Sequence, residues 1–458
     1  MNTINMLRAF LRASFGVLAL GTPRESALAR NLPIALPGAL ALYAALWLAG
    51  PAHAAAPDPT QLAARVEQLA AEVAELRAQL DSLRAAQPAA QAATPTASAT
   101  ANAPPAAAQP AAAGPEWFGY GELDYSKPRD GNATADLARF VLGTSVRFDE
   151  RTRLVSELEI EHTVSSASDA GEVEVEQAYV ERSYGDHLYA RAGLVLVPLG
   201  LLNENHEPTR YYGVQRNGVE TAIIPTTWRE GALALQARTD NGWRWDVGLG
   251  TGFDLSRWDA GSSEGRESPL GSIHQELSLA RAADLSGFVA FNYTGVPGLR
   301  VGGGAFAGGV SQSQPGLGSA SVALWEAHAA WSVGGWDLAG LYASGHLSGT
   351  RALNASLLGF PTPVPEDFRG GYLQAAWRGL PLADGRLVPF LRHERYNTGA
   401  HYASLAPAPT PAALPWTIGW IGGLNYAAGR GLVLKADYAS YSSGETPDRF
   451  DLGLGYEF

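Results

Sequence analysis

Four residues in one segment, Asn203, Glu204, His206 and Glu207, have side chains that could ligate a metal ion. Protein metal sites combine imidazole nitrogens and carboxylate oxygens that converge from several positions. This segment offers a single imidazole, and loops that contain both His and Glu are common. We therefore predict that these residues bind no metal and that the protein needs no cofactor.

A Gly-x-Ser-x-Gly string at 261–265 is a second candidate for chemistry. The motif marks a hydrolase nucleophile when it forms a sharp strand-to-helix turn, and the serine also needs a paired base. Ser263 lies in a long polar segment, 254–284, and no histidine is paired with it in the sequence. The string is typical of a flexible polar loop, so we predict that the protein is not an enzyme.

Three arginines, Arg210, Arg216 and Arg229, lie in or beside the segment 198–228. A guanidinium group can bind two oxygens of an anion at once, and it stays charged. The three are candidate anion contacts; the alternative is that they are solvated loop charges. The same region also carries acidic residues, which leave the sign of any charge preference open: Glu204, Glu207, Glu220 and Glu230.

The composition excludes several classes of protein. The 458 residues include no Cys, so a disulfide framework and a zinc-thiolate site are excluded. The net charge of -12 argues against nucleic-acid binding. Mean hydropathy is near neutral at -0.07, and no apolar run near 18 residues follows residue 55. Membrane β-barrels have this composition because each strand is apolar on one face only.

The first 115 residues divide into three regions. Residues 1–54 combine arginines, an apolar stretch and a small-residue cleavage site, which predicts a signal peptide; the alternative is a membrane anchor. Residues 58–86 predict a periplasmic coiled coil that self-associates, or else a lone amphipathic helix. Residues 87–115 predict a disordered Ala/Pro linker. The coiled coil rests on leucines and valines spaced alternately four and three residues apart, namely Leu62, Val66, Leu69, Val73, Leu76, Leu80 and Leu83.

Residues 116–458 contain segments in which apolar and polar side chains alternate, and these predict an all-β transmembrane barrel of about sixteen antiparallel strands. Short turns and long loops alternate between the segments, as in membrane barrels. An even count places both chain ends at the short-turn, periplasmic rim, and sixteen strands enclose a water-filled channel. The alternative is a soluble sandwich or propeller, although no blade-like repeat is present. The predicted strands are 117–125, 138–148, 152–163, 173–183, 187–197, 229–239, 243–253, 285–294, 299–309, 321–332, 335–346, 369–378, 385–395, 417–427, 431–442 and 448–458.

Charged residues share one face of several predicted strands. A charged side chain that faces lipid costs up to about 2–4 kcal/mol at the bilayer midplane, so these faces should line the lumen. The predicted lumen-wall residues are Arg139, Arg147, Glu157, Glu159, Arg392, Glu394 and Lys435.

The last predicted strand ends on Tyr456-Glu457-Phe458. A terminal Phe with an aromatic residue two positions earlier resembles the C-terminal signal of bacterial outer-membrane barrel proteins. The resemblance implies that Tyr456 and Phe458 are part of the signal that the barrel assembly machinery reads.

The segment 200–231 contains a distinctive set of residues, namely Asn203, His206, Glu207, Pro208, Tyr212, Gly213, Val214, Glu220, Ile224, Pro225, Thr227 and Trp228. This set resembles the pattern of the phosphate-selective porin O/P family of bacterial outer-membrane porins. The resemblance implies that the third external loop folds into the barrel and constricts the pore, with Arg210, Arg216, Arg229, His206 and Glu207 as solute contacts.

Together these features predict an outer-membrane porin for passive diffusion of small polar or charged solutes, with a weak lean towards anions. Its predicted partners are outer-membrane lipid, the barrel assembly machinery and further copies of itself. A trimer is usual among porins, whereas valine at a and leucine at d in the heptads favour a dimer. The alternative is a barrel that anchors an envelope tether through the segment 58–115.

Overall fold

The computed structural model describes residues 114–164, 166, 171–442 and 446–458. The predicted signal peptide and coiled coil, and the linker up to residue 113, lie outside the described residues. They stay predictions.

One antiparallel sheet closes on itself to form a barrel. Each strand pairs with its neighbour in the chain, and β1 pairs with both β2 and β17. At the seam, the amide of Gly119 donates to the carbonyl of Phe458 at 3.1 Å, and Phe458 donates back at 2.9 Å. The strands are β1 (Glu116–Pro128), β2 (Thr134–Arg147), β3 (Thr152–Glu161), β4 (Glu172–Ser183), β5 (Leu188–Leu196), β6 (Arg229–Arg238), β7 (Trp243–Gly250), β8 (Ser286–Tyr293), β9 (Leu299–Gly309), β10 (Ser321–Val333), β11 (Trp336–Ser348), β12 (Asp367–Trp377), β13 (Leu380–Leu382), β14 (Gly385–His401), β15 (Thr417–Ala428), β16 (Leu432–Tyr441) and β17 (Arg449–Glu457).

The prediction of a sixteen-strand barrel is confirmed. Sixteen strands form the wall, and β13 is a three-residue strand that pairs with the start of β14 in a tight hairpin. The predicted strand 385–395 ends too early, because β14 stays paired with β12 up to His401, opposite Asp367. Backbone pairing continues there although the apolar alternation has ended.

The outer face of the wall is apolar. Leucines and valines that project outward are exposed, as lipid-facing residues are in an isolated barrel, and aromatic residues lie near both rims. Among the described residues, no helix is both long and apolar enough to cross a membrane. Outward residues include Leu142, Leu158, Leu233, Leu249, Val289 and Leu373, and the aromatic ones include Trp117, Phe148, Trp331, Trp336, Trp420, Tyr438 and Phe450.

The barrel has two different rims. Both ends of the barrel chain and the short connections form the turn rim, and the long connections leave the opposite rim, called the loop rim here. The long connections contain a π-helical turn (Val219–Ile223), two 3-10 turns (Leu255–Arg257 and Gly271–Ile273) and two helices, α1 (Glu264–Glu267) and α2 (Thr350–Ser356).

Deleting Phe458 should reduce the yield of folded barrel in the membrane fraction. The deletion removes both seam hydrogen bonds to Gly119 and the ring that packs over this glycine, where an added Cβ would lie 2.7 Å from the ring. Heat-modifiable migration on gels measures the folded fraction. Phe450→Ala, an outward aromatic at the other end of β17, is the control, and an equal loss in both variants would contradict a special role for the terminus.

Candidate functional site

The segment between β5 and β6, residues 198–228, lies inside the barrel and is called the inner loop. Its His206 contacts Glu176 on β4, and its Tyr212 donates a hydrogen bond to Asp337 on β11. Further partners lie on β1, β2, β12, β14, β15, β16 and β17. Strands spread around the wall can be reached by one loop only if it crosses the lumen.

His206 anchors the inner loop to one side of the wall. Its Nε2 lies 2.8 Å from Glu176 and 2.6 Å from the hydroxyl of Tyr120, and its Nδ1 lies 2.9 Å from the carbonyl of Asn203. Burial by itself lowers the pKa of His206, but the Glu176 carboxylate outweighs it, and the net pKa is raised. Both ring nitrogens face acceptors, so the protonated imidazolium fits this site.

Arg139 on β2 forms a second anchor. Its Nε donates to Glu122 at 2.7 Å, and its Nη2 donates to the backbone carbonyl of His206 at 2.7 Å. The hydroxyl of Tyr211 in the inner loop donates to the same Glu122 carboxylate at 2.7 Å. Lys435 completes the group, with its Nζ 3.6 Å from the centre of the Tyr211 ring. A charged network therefore holds the middle of the loop.

Glu220 closes the inner loop on itself. Its carboxylate accepts hydrogen bonds from the amides of Leu201 and Leu202 at 2.6 and 2.8 Å, and from the hydroxyl of Tyr372 on β12 at 2.9 Å. Gly200 precedes these amides with a φ of +82°, and an added Cβ would lie 2.5 Å from Glu220. Only glycine fits this close approach in the left-handed region.

An apolar cluster fills part of the lumen beside the inner loop. Trp228, Phe253 and Phe306 are each at most 1% exposed, and the Trp228 ring centre lies 5.2 and 4.6 Å from the other two. The side-chain amide of Asn203 bonds both the amide and the carbonyl of Trp228, at 2.7 and 2.8 Å. Asn203 therefore joins the start of the inner loop to its end.

Two polar chambers lie on either side of the inner loop, and Tyr211 lines both. The turn-side chamber has a volume of about 860 Å³, and the loop-side chamber about 490 Å³. Five arginines and two aspartates line the turn-side chamber: Arg210, Arg300, Arg378, Arg386, Arg392, Asp337 and Asp384. Five carboxylates and three arginines line the loop-side chamber: Glu122, Asp124, Asp136, Glu161, Glu394, Arg139, Arg216 and Arg449.

The three arginines predicted as anion contacts lie apart. Arg210 lines the turn-side chamber, with its Nη2 3.2 Å from Glu457. Arg216 lines the loop-side chamber, where its Nη1 donates to the hydroxyls of Thr226 and Thr227. The two groups therefore lie on different sides of the inner loop.

Arg229 and Glu207 line neither of the two chambers. Arg229 is 4% exposed on β6, and its guanidinium bridges the carboxylates of Glu174 and Glu276. Glu207 lines a cavity of about 580 Å³ at the turn rim, beside Phe118 and Phe458. Arg229 thus already has two anionic partners within the protein.

Six of the seven residues predicted for the lumen wall are buried on the inner face of their strands. Arg392 shows how they meet the inner loop, since its guanidinium donates to the carbonyls of Tyr212 and Gln215 at 3.2 and 3.3 Å. Arg147 is exposed, at the turn-rim end of β2. The buried six are Arg139, Glu157, Glu159, Arg392, Glu394 and Lys435.

Several residues of the site carry no distinct signal in the sequence. Tyr120, Glu122 and Glu176 anchor the inner loop, and Arg300 and Arg386 line the turn-side chamber. The alternation of polar and apolar side chains places these residues on the polar faces of their strands. It does not show which of them face the inner loop.

Comparison with known proteins supports the fold. No protein-family model matches the chain. An uncharacterised protein of Aquifex aeolicus strain VF5 is 29% identical over 332 residues, which cover 70% of this chain and 74% of that protein.

Solved porin structures are similar to the barrel. Salmonella typhi OmpF, solved in a complex with daunomycin, aligns over 75% of this chain and 97% of its own with a TM-score of 0.54 and 12% identity. The outer-membrane channel DcaP of Acinetobacter baumannii aligns over 75% and 97% with a TM-score of 0.49 and 12% identity. The closed barrel, its apolar outer face and its porin-like fold place the chain in the outer membrane.

Proposed function

We propose that this protein is a diffusion porin that passes small polar or charged solutes, with the inner loop as its constriction. The observation that carries the proposal is the inner loop itself, which crosses the lumen and separates two polar chambers. Solutes would move passively, because this arrangement offers charged walls and a narrow passage rather than a catalytic group.

Recording in planar lipid bilayers tests this proposal. The purified and folded chain should insert and give stable, stepwise increases of current. Heat-denatured protein at the same concentration is the control. An absence of channel steps from folded protein would overturn the proposal.

We further propose a weak preference for anions, with Arg210 and its neighbours in the turn-side chamber as the contacts. Among the described residues, Arg300 and Arg386 form no ion pair, so their charge is available to solutes. The loop-side chamber has more carboxylates than arginines, which limits the preference. Selection of phosphate in particular, as the family resemblance implies, would need more cations than these chambers present.

Replacing Arg300 and Arg386 together with Gln should move the reversal potential in a salt gradient towards cation preference. The two changes remove two positive charges from the turn-side chamber and leave its volume nearly the same. Arg129→Gln is the control, because the Arg129 side chain is 71% exposed at the loop rim. A shift of the same size in the control would contradict the role of this chamber.

The remaining partners belong to the same proposal. We propose a homotrimer embedded in outer-membrane lipid and inserted by the barrel assembly machinery, with Tyr456 and Phe458 as part of the assembly signal. Cross-linking of the folded protein in its membrane, followed by gel analysis, measures the number of copies.

A further inference from the structure

Three glutamates meet on the inner wall near the loop rim. Glu159 on β3 stands opposite Glu174 on β4, and Glu161 follows two residues later on the same face of β3. Their ligand oxygens all lie within 4.8 Å of one another. Three carboxylates at this separation repel one another unless a cation or protons neutralise them.

Glu159 is the unusual member of this cluster. The residue is 1% exposed, and neither of its carboxylate oxygens has a hydrogen-bond partner among the residues that the structure describes. An ionised carboxylate that is buried without a partner destabilises the folded protein strongly. The geometry therefore lacks a neutralising group at Glu159.

The nearby cationic side chains already form ion pairs with other carboxylates. Arg229 bridges Glu174 and Glu276, and Arg139 pairs with Glu122. His206 pairs with Glu176, and Gln177 donates to Glu157 at 2.9 Å. Even with Arg229 on one side of Glu174, the cluster keeps an excess of negative charge.

We propose that Glu159, Glu161 and Glu174 bind a hard divalent cation, Ca²⁺ in particular. Carboxylate oxygens are the ligands that Ca²⁺ prefers, and Ca²⁺ tolerates an irregular shell completed by water. Glu161 also lines the loop-side chamber, which gives the ion a path from that chamber.

The bound ion would support the anchor of the inner loop. It would join β3 to the part of β4 that carries Glu176, and Glu176 holds His206. This inference does not depend on the proposed transport function, because the ion would bind a closed barrel whatever passes through it.

Binding of Tb³⁺ to the folded full chain, followed by its luminescence and by displacement with Ca²⁺, tests the site. The wild-type protein, after treatment with EDTA, should bind Tb³⁺, and millimolar Ca²⁺ should displace it. Glu159→Gln should weaken binding by about tenfold or more, because a charged ligand is lost. Glu326→Gln, at a buried inner-wall glutamate on β10 that pairs with His328, is the matched control and should bind as the wild type does.

Thermal unfolding in Ca²⁺ or EDTA at equal ionic strength gives a second readout. In EDTA, Glu159→Gln should unfold at a higher temperature than the wild type, because the unpartnered charge is gone. In Ca²⁺ the wild type should unfold at a higher temperature than Glu159→Gln. If Tb³⁺ binds both proteins equally, or if Ca²⁺ leaves the wild-type midpoint unchanged, the proposal is wrong and Glu159 is a neutral, protonated acid.

Discussion

Replacing His206 with Ala should detach the inner loop from its wall and make single-channel currents larger and noisier. The substitution leaves the carboxylate of Glu176, which is 0% exposed, without its cationic partner. Removal of one partner from a buried ion pair costs about 3–5 kcal/mol. At about 1.4 kcal/mol per factor of ten, this cost shifts the docking equilibrium of the loop by about two to three and a half orders of magnitude.

The same anchor should weaken in alkaline solution. The pKa of His206 is raised in the folded protein, so the stability that its protonated form contributes is fully present below the unfolded pKa of about 6.5. It is lost as the pH rises through the raised pKa. Current noise of the wild type should therefore grow on the alkaline side, and the noise of His206→Ala should stay high throughout.

His346→Ala is the matched control for both measurements. The His346 side chain is 52% exposed and pairs with Asp367 at the surface, where an ion pair contributes little. This variant should keep wild-type currents at every pH. If His206→Ala gives quiet currents of wild-type size, the anchor does not hold the constriction.

Replacing Tyr211 with Ala should widen the passage between the two chambers and raise the single-channel conductance. Tyr211 borders both chambers, and its ring lies against the Nζ of Lys435. The change also removes the hydrogen bond to Glu122, which costs about 1.5–3 kcal/mol because its acceptor is charged. Conductance and thermal stability, measured on the same preparation, should change in opposite directions.

Tyr438→Ala tests whether any loss of a tyrosine gives this effect. Tyr438 is 50% exposed on the outer face of β16, away from both chambers. Its removal should leave conductance at the wild-type value. A conductance in Tyr211→Ala that stays at or below the wild-type value would show that the passage runs elsewhere.

The strand pattern was predictable because the alternation of side chains is local. The prediction for residues 299–309 matches β9, and most other boundaries differ from the structure by only a few residues. The main exception is β14, which continues to His401. There, pairing with β12 rather than side-chain polarity keeps the backbone extended, and such pairing cannot be read from a single strand.

The candidate site was predictable only in part. The sequence singled out the inner loop and its His206, and the structure places this loop inside the lumen. The sequence also grouped Arg210, Arg216 and Arg229 as anion contacts. The fold separates them: Arg210 and Arg216 line different chambers, and Arg229 is held in a buried ion pair. Residues that are close in the chain can project to opposite sides of a loop, and sequence spacing does not reveal which side.

The sequence alone determined the wall of this protein: the number of long strands, which face of each is polar, and which rim carries the long loops. Those properties follow from the two-residue period of a strand and from turn lengths, which are local. Only the tertiary structure decided which charges meet. Tyr211 reaches Glu122 across 89 positions of sequence, and Val214 reaches Asp437 across 223. Such contacts exist only once the sheet closes and the loop enters the lumen, so the position of the inner loop is a product of closure.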